Sequence, residues 1–122
     1  MLKIVFKGNP ATKKNSMKIV NGGRRLIQSD RYREYEQACL WQVPESAKRH
    51  IETPVNLCCV YYRADNRKCD LVNLLGATQD ILTRAGVLAD DNRAIVLSVD
   101  GSRVYTDKVN PRVEIEITAF NP

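Results

Sequence analysis

Residues 69–91 decide the fold, and they read CDLVNLLGATQDILTRAGVLADD. An α-helix advances about 100° per residue, and the apolar residues of this stretch recur on one side of such a helix. They are Leu71, Leu74, Leu75, Thr78, Ile81, Leu82 and Ala85. Asp70 is a candidate N-cap and Gly86 a candidate C-cap. The stretch therefore predicts a helix with marked ends and one face on a core.

The polar side of this helix carries oxygen donors. Asp70, Asn73 and Asp80 fall within an arc of roughly 80°, and Asp90 and Asp91 follow in a predicted turn. Hard divalent cations such as Mg²⁺ prefer oxygen ligands. The pattern indicates that the acids project together and bind a metal ion. The alternative is that these aspartates only cap a helix and populate a turn.

Composition limits the class of protein. A chain of 122 residues with 43% hydrophobic residues suits one domain spanning 1–122. We expect a cytoplasmic protein without membrane contact, because we find neither a bilayer-spanning apolar run nor a signal-peptide pattern. Four cysteines without a Cys-x-x-Cys pair and a single histidine argue against structural zinc and against Ser-His or Cys-His catalysis.

The formal charge of +5 favours a polyanionic partner, since several of the acids gather in the central stretch and leave the remaining surface more basic. The alternative is a basic surface that is merely solvated. Tyr32, Tyr35 and Trp41 are candidates for stacking on bases, although packing in the core or an interface is the usual role of such residues. Candidate contacts to the phosphates of such a partner are Lys13, Lys14, Asn15, Arg24, Arg25, Arg67, Lys68 and Arg103.

The elements outside residues 69–91 follow from periodicity and turn residues. Strands are predicted over 2–7, 55–64, 93–104 and 112–120, a hairpin over 17–27, and a helix from 29 or 30 to Pro44. Asp100-Gly101 marks either a bulge in the strand over 93–104 or its end. This order predicts an α+β fold: a single domain with a mixed β-sheet and two main helices packed on it.

Four segments together resemble the RusA-type Holliday junction resolvases. They are Asp70-Leu-x-Asn73, the run GVLADDN over 86–92, GNPATKKNS over 8–16 and SDRYREYE over 29–36. The resemblance implies a Mg²⁺-dependent, homodimeric endonuclease that nicks four-way DNA junctions in recombination and repair. It also implies that Asp70 and Asp91 bind the catalytic metal, with Mn²⁺ as a possible substitute. Asn73, Asp80 and Asp90 match further positions of the motif.

Two positions depart from that family. Val72 stands where many members have aspartate, and Gly76 where several have lysine. We expect Asp80, Asp90 or Asp100 to serve as the third acid, with Asp100 and Arg103 pointing back toward the others. One alternative is a catalytically impaired protein that binds branched DNA. Another is a metal-dependent nuclease for other branched DNA.

Overall fold

The computed structural model describes residues 1–13, the backbone of 17–20 and 25–28, and residues 30–120. The strands are β1 Leu2–Lys7, β2 Met17–Val20, β3 Arg25–Gln28, β4 Val55–Arg63, β5 Val96–Ser98, β6 Arg103–Thr106 and β7 Arg112–Ala119. The helices are α1 Asp30–Gln42 and α2 Leu71–Arg84, and a short 3-10 turn spans Glu45–Ala47.

The main sheet mixes antiparallel and parallel pairs. Its order is β1-β7-β4-β5, and β6 also pairs with β4. The β1·β7 and β7·β4 pairs are antiparallel, whereas β5 and β6 run parallel to β4. β2 and β3 form a separate antiparallel pair, which confirms the predicted hairpin, while its turn over 21–24 lies outside the described residues.

The core lies between one face of the sheet and the two helices. Alternate residues of β1, β4 and β7 are buried, as expected for strands with one covered face. The Tyr61 hydroxyl on β4 and the Thr78 hydroxyl on α2 are 2.7 Å apart and hydrogen-bonded inside this layer. Tyr32, Tyr35 and Cys39 bring one stripe of α1 into the same core. The predicted α+β fold, with two helices on a mixed sheet, is confirmed.

Helix α2 begins and ends where the sequence indicates. Asp70 is the N-cap, although its side chain makes no capping hydrogen bond. At the other end, Gly86 adopts a φ of +82°. The Val87 N–H donates to the Leu82 carbonyl at 3.0 Å, and the Gly86 N–H donates to the Thr83 carbonyl at 3.1 Å. This Schellman motif stops the helix and directs the chain into the Asp90-Asp91 turn.

The single strand predicted over 93–104 is divided in two. Of the two alternatives for Asp100-Gly101, the end of a strand is correct, because Gly101 has a φ of +90° and the chain forms β5 before it and β6 after it. Trp41 is 80% exposed on α1, so packing in the core is wrong for this residue and packing in an interface stays a prediction, whereas core packing is confirmed for Tyr32 and Tyr35.

Candidate metal and phosphate site on helix α2

Two carboxyl groups meet beside helix α2. Asp80 lies on its third turn and Asp91 in the turn that follows it, near enough for Asp80 to act on the ionisation of Asp91. Partial burial, together with the contact with Asp80, raises the pKa of Asp91 above its usual value. Two carboxyls this close resist simultaneous ionisation unless a cation lies next to them. We call Asp80 and Asp91 the carboxylate pair.

Lys13 supplies one such cation. Its Nζ lies 2.7 Å from Oδ2 of Asp80, and 5.9 Å from the ring centroid of Tyr32 on α1. The side chains of Lys13 and Asp80 are 40% and 37% exposed, so both are open to solvent and to a ligand. The ammonium therefore balances part of the charge of the carboxylate pair while staying accessible.

The loop that carries Lys13 is anchored to the end of β4. The Ala64 N–H donates to Oδ1 of Asn9 at 2.8 Å, and the buried Arg63 donates through Nε to the Pro10 carbonyl at 3.2 Å. The next two residues of the loop, Ala11 and Thr12, are also buried. These contacts fix the backbone just before Lys13.

A cavity of about 200 Å³ adjoins this cluster. Its lining comprises Lys13, Val72, Asn73, Gly76, Ala77 and Asp80. Five of the six residues come from one face of α2, where Gly76 has no side chain and Ala77 has a small one. The cavity therefore places the Lys13–Asp80 pair at one end of a groove along the helix, with Asn73 at the other.

Asp70 and Asn73 form a separate polar pair on the first turn of α2. The Asn73 amide donates to Oδ2 of Asp70 at 3.2 Å. Ten residues separate Asp70 from Asp80, which places them about 15 Å apart along the helix axis. Within the described part of the chain, no three acidic, histidine or cysteine side chains lie close enough to share a metal ion. The predicted convergence of all the acids is therefore wrong for the single chain, and the metal role of each acid stays a prediction.

Asp90 shapes the turn that carries Asp91. Its Oδ1 accepts the Asp91 N–H at 2.7 Å, and its Oδ2 accepts the Asn92 amide at 3.2 Å. Those hydrogen bonds, the backbone one first, lower the pKa of Asp90. Both carboxylate oxygens of Asp90 therefore accept hydrogen bonds within the turn, and the bond to the Asp91 N–H orients Asp91.

The remaining predicted DNA contacts divide by location. Arg67 and Lys68 are exposed on the segment that leads to Asp70. Arg103 donates to the Tyr105 hydroxyl and to the Gly101 carbonyl, both at 2.8 Å. It pairs with Val60 on the sheet face opposite α2, so the prediction that it points toward the acids is wrong. Lys14, Asn15 and Arg24 lie outside the described residues, as does the side chain of Arg25.

Asp100, the other residue expected near the acids, also lies elsewhere. Its backbone N–H donates to Oδ1 of Asn56 at 2.8 Å, and its carbonyl accepts the Asn56 amide at 3.2 Å. These bonds fasten the turn after β5 to β4. Asp100 therefore has a structural position at the edge of the sheet.

The family model described as endodeoxyribonuclease RusA matches residues 7–118. The chain belongs to the RusA family. A comparison with curated proteins finds no match. Members of the RusA family are endonucleases that act on Holliday junctions, and the match covers helix α2 and the loop of Lys13, which together line the groove. No helix in the described part of the chain has the length and apolar character needed to cross a bilayer.

Val72 and Gly76, the two positions that depart from the RusA pattern, both border the cavity. Val72 is 77% exposed and lines the cavity, and an ideal Cβ at Gly76 would meet nothing within 4 Å. Both positions therefore face the groove without a charge of their own. Of the residues that line it, the charged ones are Lys13 and Asp80.

Proposed function

We propose that this RusA-family chain is a cytoplasmic, Mg²⁺-dependent endonuclease that acts as a homodimer and resolves Holliday junctions by paired symmetric nicks. The observation that carries the proposal is the carboxylate pair with Lys13 at one end of the groove on α2. Anionic oxygens for a cation and a cation for a phosphate lie side by side there. Phosphodiester hydrolysis needs both kinds of group.

The carboxylate pair fits a magnesium ion. Mg²⁺ usually keeps several waters and is held by one or two carboxylates together with substrate phosphates. Asp80 and Asp91 offer two carboxylates. Partial burial and then the neighbouring Asp80 raise the pKa of Asp91, and a bound cation favours the ionised form of both carboxyls. When bound, a divalent ion makes a coordinated water more acidic and neutralises charge on the phosphate. Mn²⁺ suits the same oxygen donors.

The other acids have supporting roles in this proposal. Asp70 is exposed, and its carboxylate is hydrogen-bonded among the described residues only to Asn73, so its other oxygen is available as a further ligand or water contact. Asp90 acts by orienting Asp91. The resemblance assigns Asp70 and Asp91 as essential, so replacing either by asparagine is expected to abolish cleavage while junction binding remains.

The basic residues contact the DNA backbone in this proposal. Lys13 borders the groove, and Arg67 and Lys68 are exposed just before α2, where phosphates can approach. Lys14, Asn15, Arg24 and Arg25 are proposed contacts from sequence alone. Two symmetric nicks require two active sites related by a twofold axis, which is the reason for proposing a homodimer.

The second candidate is a branched-DNA-binding protein that does not cut. The uncharged Val72 and Gly76 in the groove favour it, because they remove a carboxylate and a cation from positions that face the site. Asp91→Asn separates the two candidates: it abolishes cleavage in an enzyme, whereas a binding protein has no cleavage to lose.

The test is cleavage of a synthetic mobile four-way junction by the purified chain, with a linear duplex of matched sequence as the control. Each substrate is incubated with Mg²⁺, with Mn²⁺ and with chelator. Paired nicks in the junction that require metal support the proposal. Junction binding without nicks under every metal condition would replace it with the binding protein. Equal cutting of flapped and four-way DNA would instead indicate a broader branched-DNA nuclease.

A further inference from the structure

The groove on α2 holds one feature that the carboxylates do not explain. Helix α2 has a single basic residue, Arg84, and its guanidinium is bonded to Glu36 of α1. The helix therefore brings no cation of its own to the groove. Among the described residues that line the cavity, the positive charge comes from Lys13, on a loop 67 residues away in sequence from its partner Asp80.

Lys13 is held in place before any ligand arrives. Asn9 and Arg63 fix the loop backbone, Asp80 binds the ammonium at 2.7 Å, and the Tyr32 ring lies 5.9 Å from the same nitrogen. A lysine usually loses considerable side-chain entropy when it is ordered by a ligand. Because Lys13 is already ordered, a phosphate that binds it costs less side-chain entropy. A preorganised ammonium of this kind is suited to act on a reacting phosphate.

The ammonium also keeps donors free. A lysine ammonium has three N–H bonds, and Asp80 accepts one of them. Among the described residues no second acceptor is bonded to this ammonium, and the side chain is 40% exposed. A phosphate that approaches the carboxylate pair passes close to this nitrogen, because Nζ is in hydrogen-bond contact with one member of that pair.

We propose that the Lys13 ammonium, positioned by Asp80, contacts a non-bridging oxygen of the scissile phosphate and stabilises the negative charge that develops there during cleavage. This inference rests on the endonuclease function proposed above. In hydrolysis the water oxygen bonds to phosphorus, the leaving oxygen departs with the bonding electron pair and takes a proton from solvent, and the water loses a proton to solvent. Lys13 keeps its own proton throughout. Asp80 is then a positioning residue for Lys13.

The experiment compares Lys13→Met with Lys13→Arg in single-turnover cleavage and in junction binding with Ca²⁺ in place of Mg²⁺. Loss of one preorganised charge-stabilising donor typically lowers a rate by about 100-fold or more. We expect Lys13→Met to lose about 100-fold in cleavage rate and only a few-fold in junction affinity. Lys13→Arg keeps the charge, so we expect a loss of less than about tenfold. Lys108→Met removes an exposed lysine outside the groove and is the matched control.

A relocated lysine gives a sharper readout. Residue 76 lies one helical turn before Asp80, and side chains four residues apart on a helix are neighbours. Nothing lies within 4 Å of a Cβ at Gly76, so the first side-chain atom of Gly76→Lys has open space. In the Lys13→Met background, Gly76→Lys is expected to restore at least about tenfold of the lost rate. A purely structural role for Lys13 would give no such recovery.

The outcomes separate the two proposals. If the wild-type chain cleaves no branched DNA with metal, the endonuclease function and this inference both fail. If the wild type cleaves and a folded Lys13→Met cleaves equally fast, only the inference fails. The inference also fails if Lys13→Met loses rate and affinity equally and Gly76→Lys restores neither. If Lys13→Met does not fold, Lys13→Gln replaces it. The comparison is then made between Lys13→Gln and Lys13→Arg, each with and without Gly76→Lys.

Discussion

Ionisation of Asp91 beside Asp80 is expected to destabilise the fold when no metal ion is bound, because Lys13 balances only part of the charge. Partial burial and Asp80 raise the pKa of Asp91 in the folded state, so the folded protein binds this proton more tightly than the unfolded chain does. The stability that the proton contributes is present at low pH and is lost as the pH rises through the folded pKa. At pH 8, without metal, Asp91→Asn is therefore expected to have a higher Tm than the wild type, and the difference should shrink toward pH 4.

Bound Mg²⁺ is expected to reverse the order of the Tm values of the wild type and Asp91→Asn. Mg²⁺ at ten times its Kd stabilises a one-site protein by about 1.4 kcal/mol, which is roughly 5 °C in Tm for a domain of this size. We expect this shift in the wild type and its absence in Asp91→Asn, measured by thermal unfolding followed by circular dichroism. Glu52→Gln makes the same change in charge at an exposed site and is the control. A full Mg²⁺ shift in Asp91→Asn would remove Asp91 from the metal site.

The four cysteines are predicted to react unequally. Burial raises the pKa of the Cys39 and Cys59 thiols to about 12 in each case. At pH 8 such a thiol is about 10⁻⁴ thiolate, and the thiolate is the reactive form. Iodoacetamide is expected to leave Cys39 and Cys59 unmodified in the folded protein and to modify all four cysteines in urea. Intact-mass and peptide analysis measure the sites. Rapid modification of Cys59 in the folded state would contradict its burial.

Single residues show where sequence reasoning reached its limit. The residue types and the elements that carry Lys13, Asp80 and Asp91 are readable from pattern, but their contact depends on how a loop packs against a helix 67 residues later. The helical arc that groups Asp70 with Asp80 measures an angle and ignores the axial rise. That omission explains why the two carboxyls were expected together although about 15 Å separates them along the axis.

At the level of elements, Glu36 joins the two helices. Its Oε1 lies 2.5 Å from Nη1 of Arg84 on α2, and its Oε2 accepts the Tyr32 hydroxyl at 3.3 Å. The Glu36 side chain is 12% exposed, so the pair is partly shielded from solvent. This contact connects α1, which supports Lys13 through Tyr32, to α2, which carries Asp80.

Replacing Glu36 by glutamine is expected to destabilise the fold by about 1–2 kcal/mol, since hydrogen bonds to a charged group in a shielded site are worth about that much. Glu34→Gln, on the exposed side of the same helix, should change stability by less than about 0.5 kcal/mol. Urea unfolding measures both. A double-mutant cycle with Arg84→Met isolates the pair, and equal effects of Glu36→Gln and Glu34→Gln would show that the contact contributes nothing.

The sequence predicted the helices and strands more fully than it predicted contacts between single residues. Strict alternation marked β1 and β7, and the apolar stripe with Asp70 and Gly86 marked α2. The segment over 93–104 was the exception, because alternation alone does not tell a bulge from a break. Gly101, at φ +90°, settles the matter by turning the chain between β5 and β6. Both short strands then pair with β4, a long-range contact that no local pattern encodes.

For the whole molecule, the layer of two helices on a mixed sheet follows from the element order. The surface through which two chains would form the proposed dimer does not follow from it. Val72, Trp41 and Val109 are exposed apolar side chains on α2, on α1 and between β6 and β7. Their exposure alone does not select one dimer face. The dimer is therefore best tested through its consequence for cleavage, with light scattering as the direct measurement of mass.

Mixed dimers provide that test. If each chain carries one complete active site and the two sites cut opposing strands, a dimer of wild-type and Asp91→Asn chains can cut only one strand of a junction. In a cruciform plasmid, paired nicks give linear DNA and a single nick gives an open circle. Chains that re-pair at random in an equimolar mixture leave about a quarter of the dimers with two active sites, and the linear product should fall to that fraction in single turnover.

The fractions of linear and open-circle plasmid in the mixture distinguish the possible assemblies. A linear product that falls to about a quarter, with open circles replacing it, is expected for two self-contained sites in one twofold dimer. A fall to about a half, with few open circles, would indicate wild-type units that do not exchange partners. Loss of both products in the mixture would mean that each site borrows a residue from its partner. Asp70, which lies about 15 Å along α2 from Asp80 in the single chain, is then the first residue to test for such sharing.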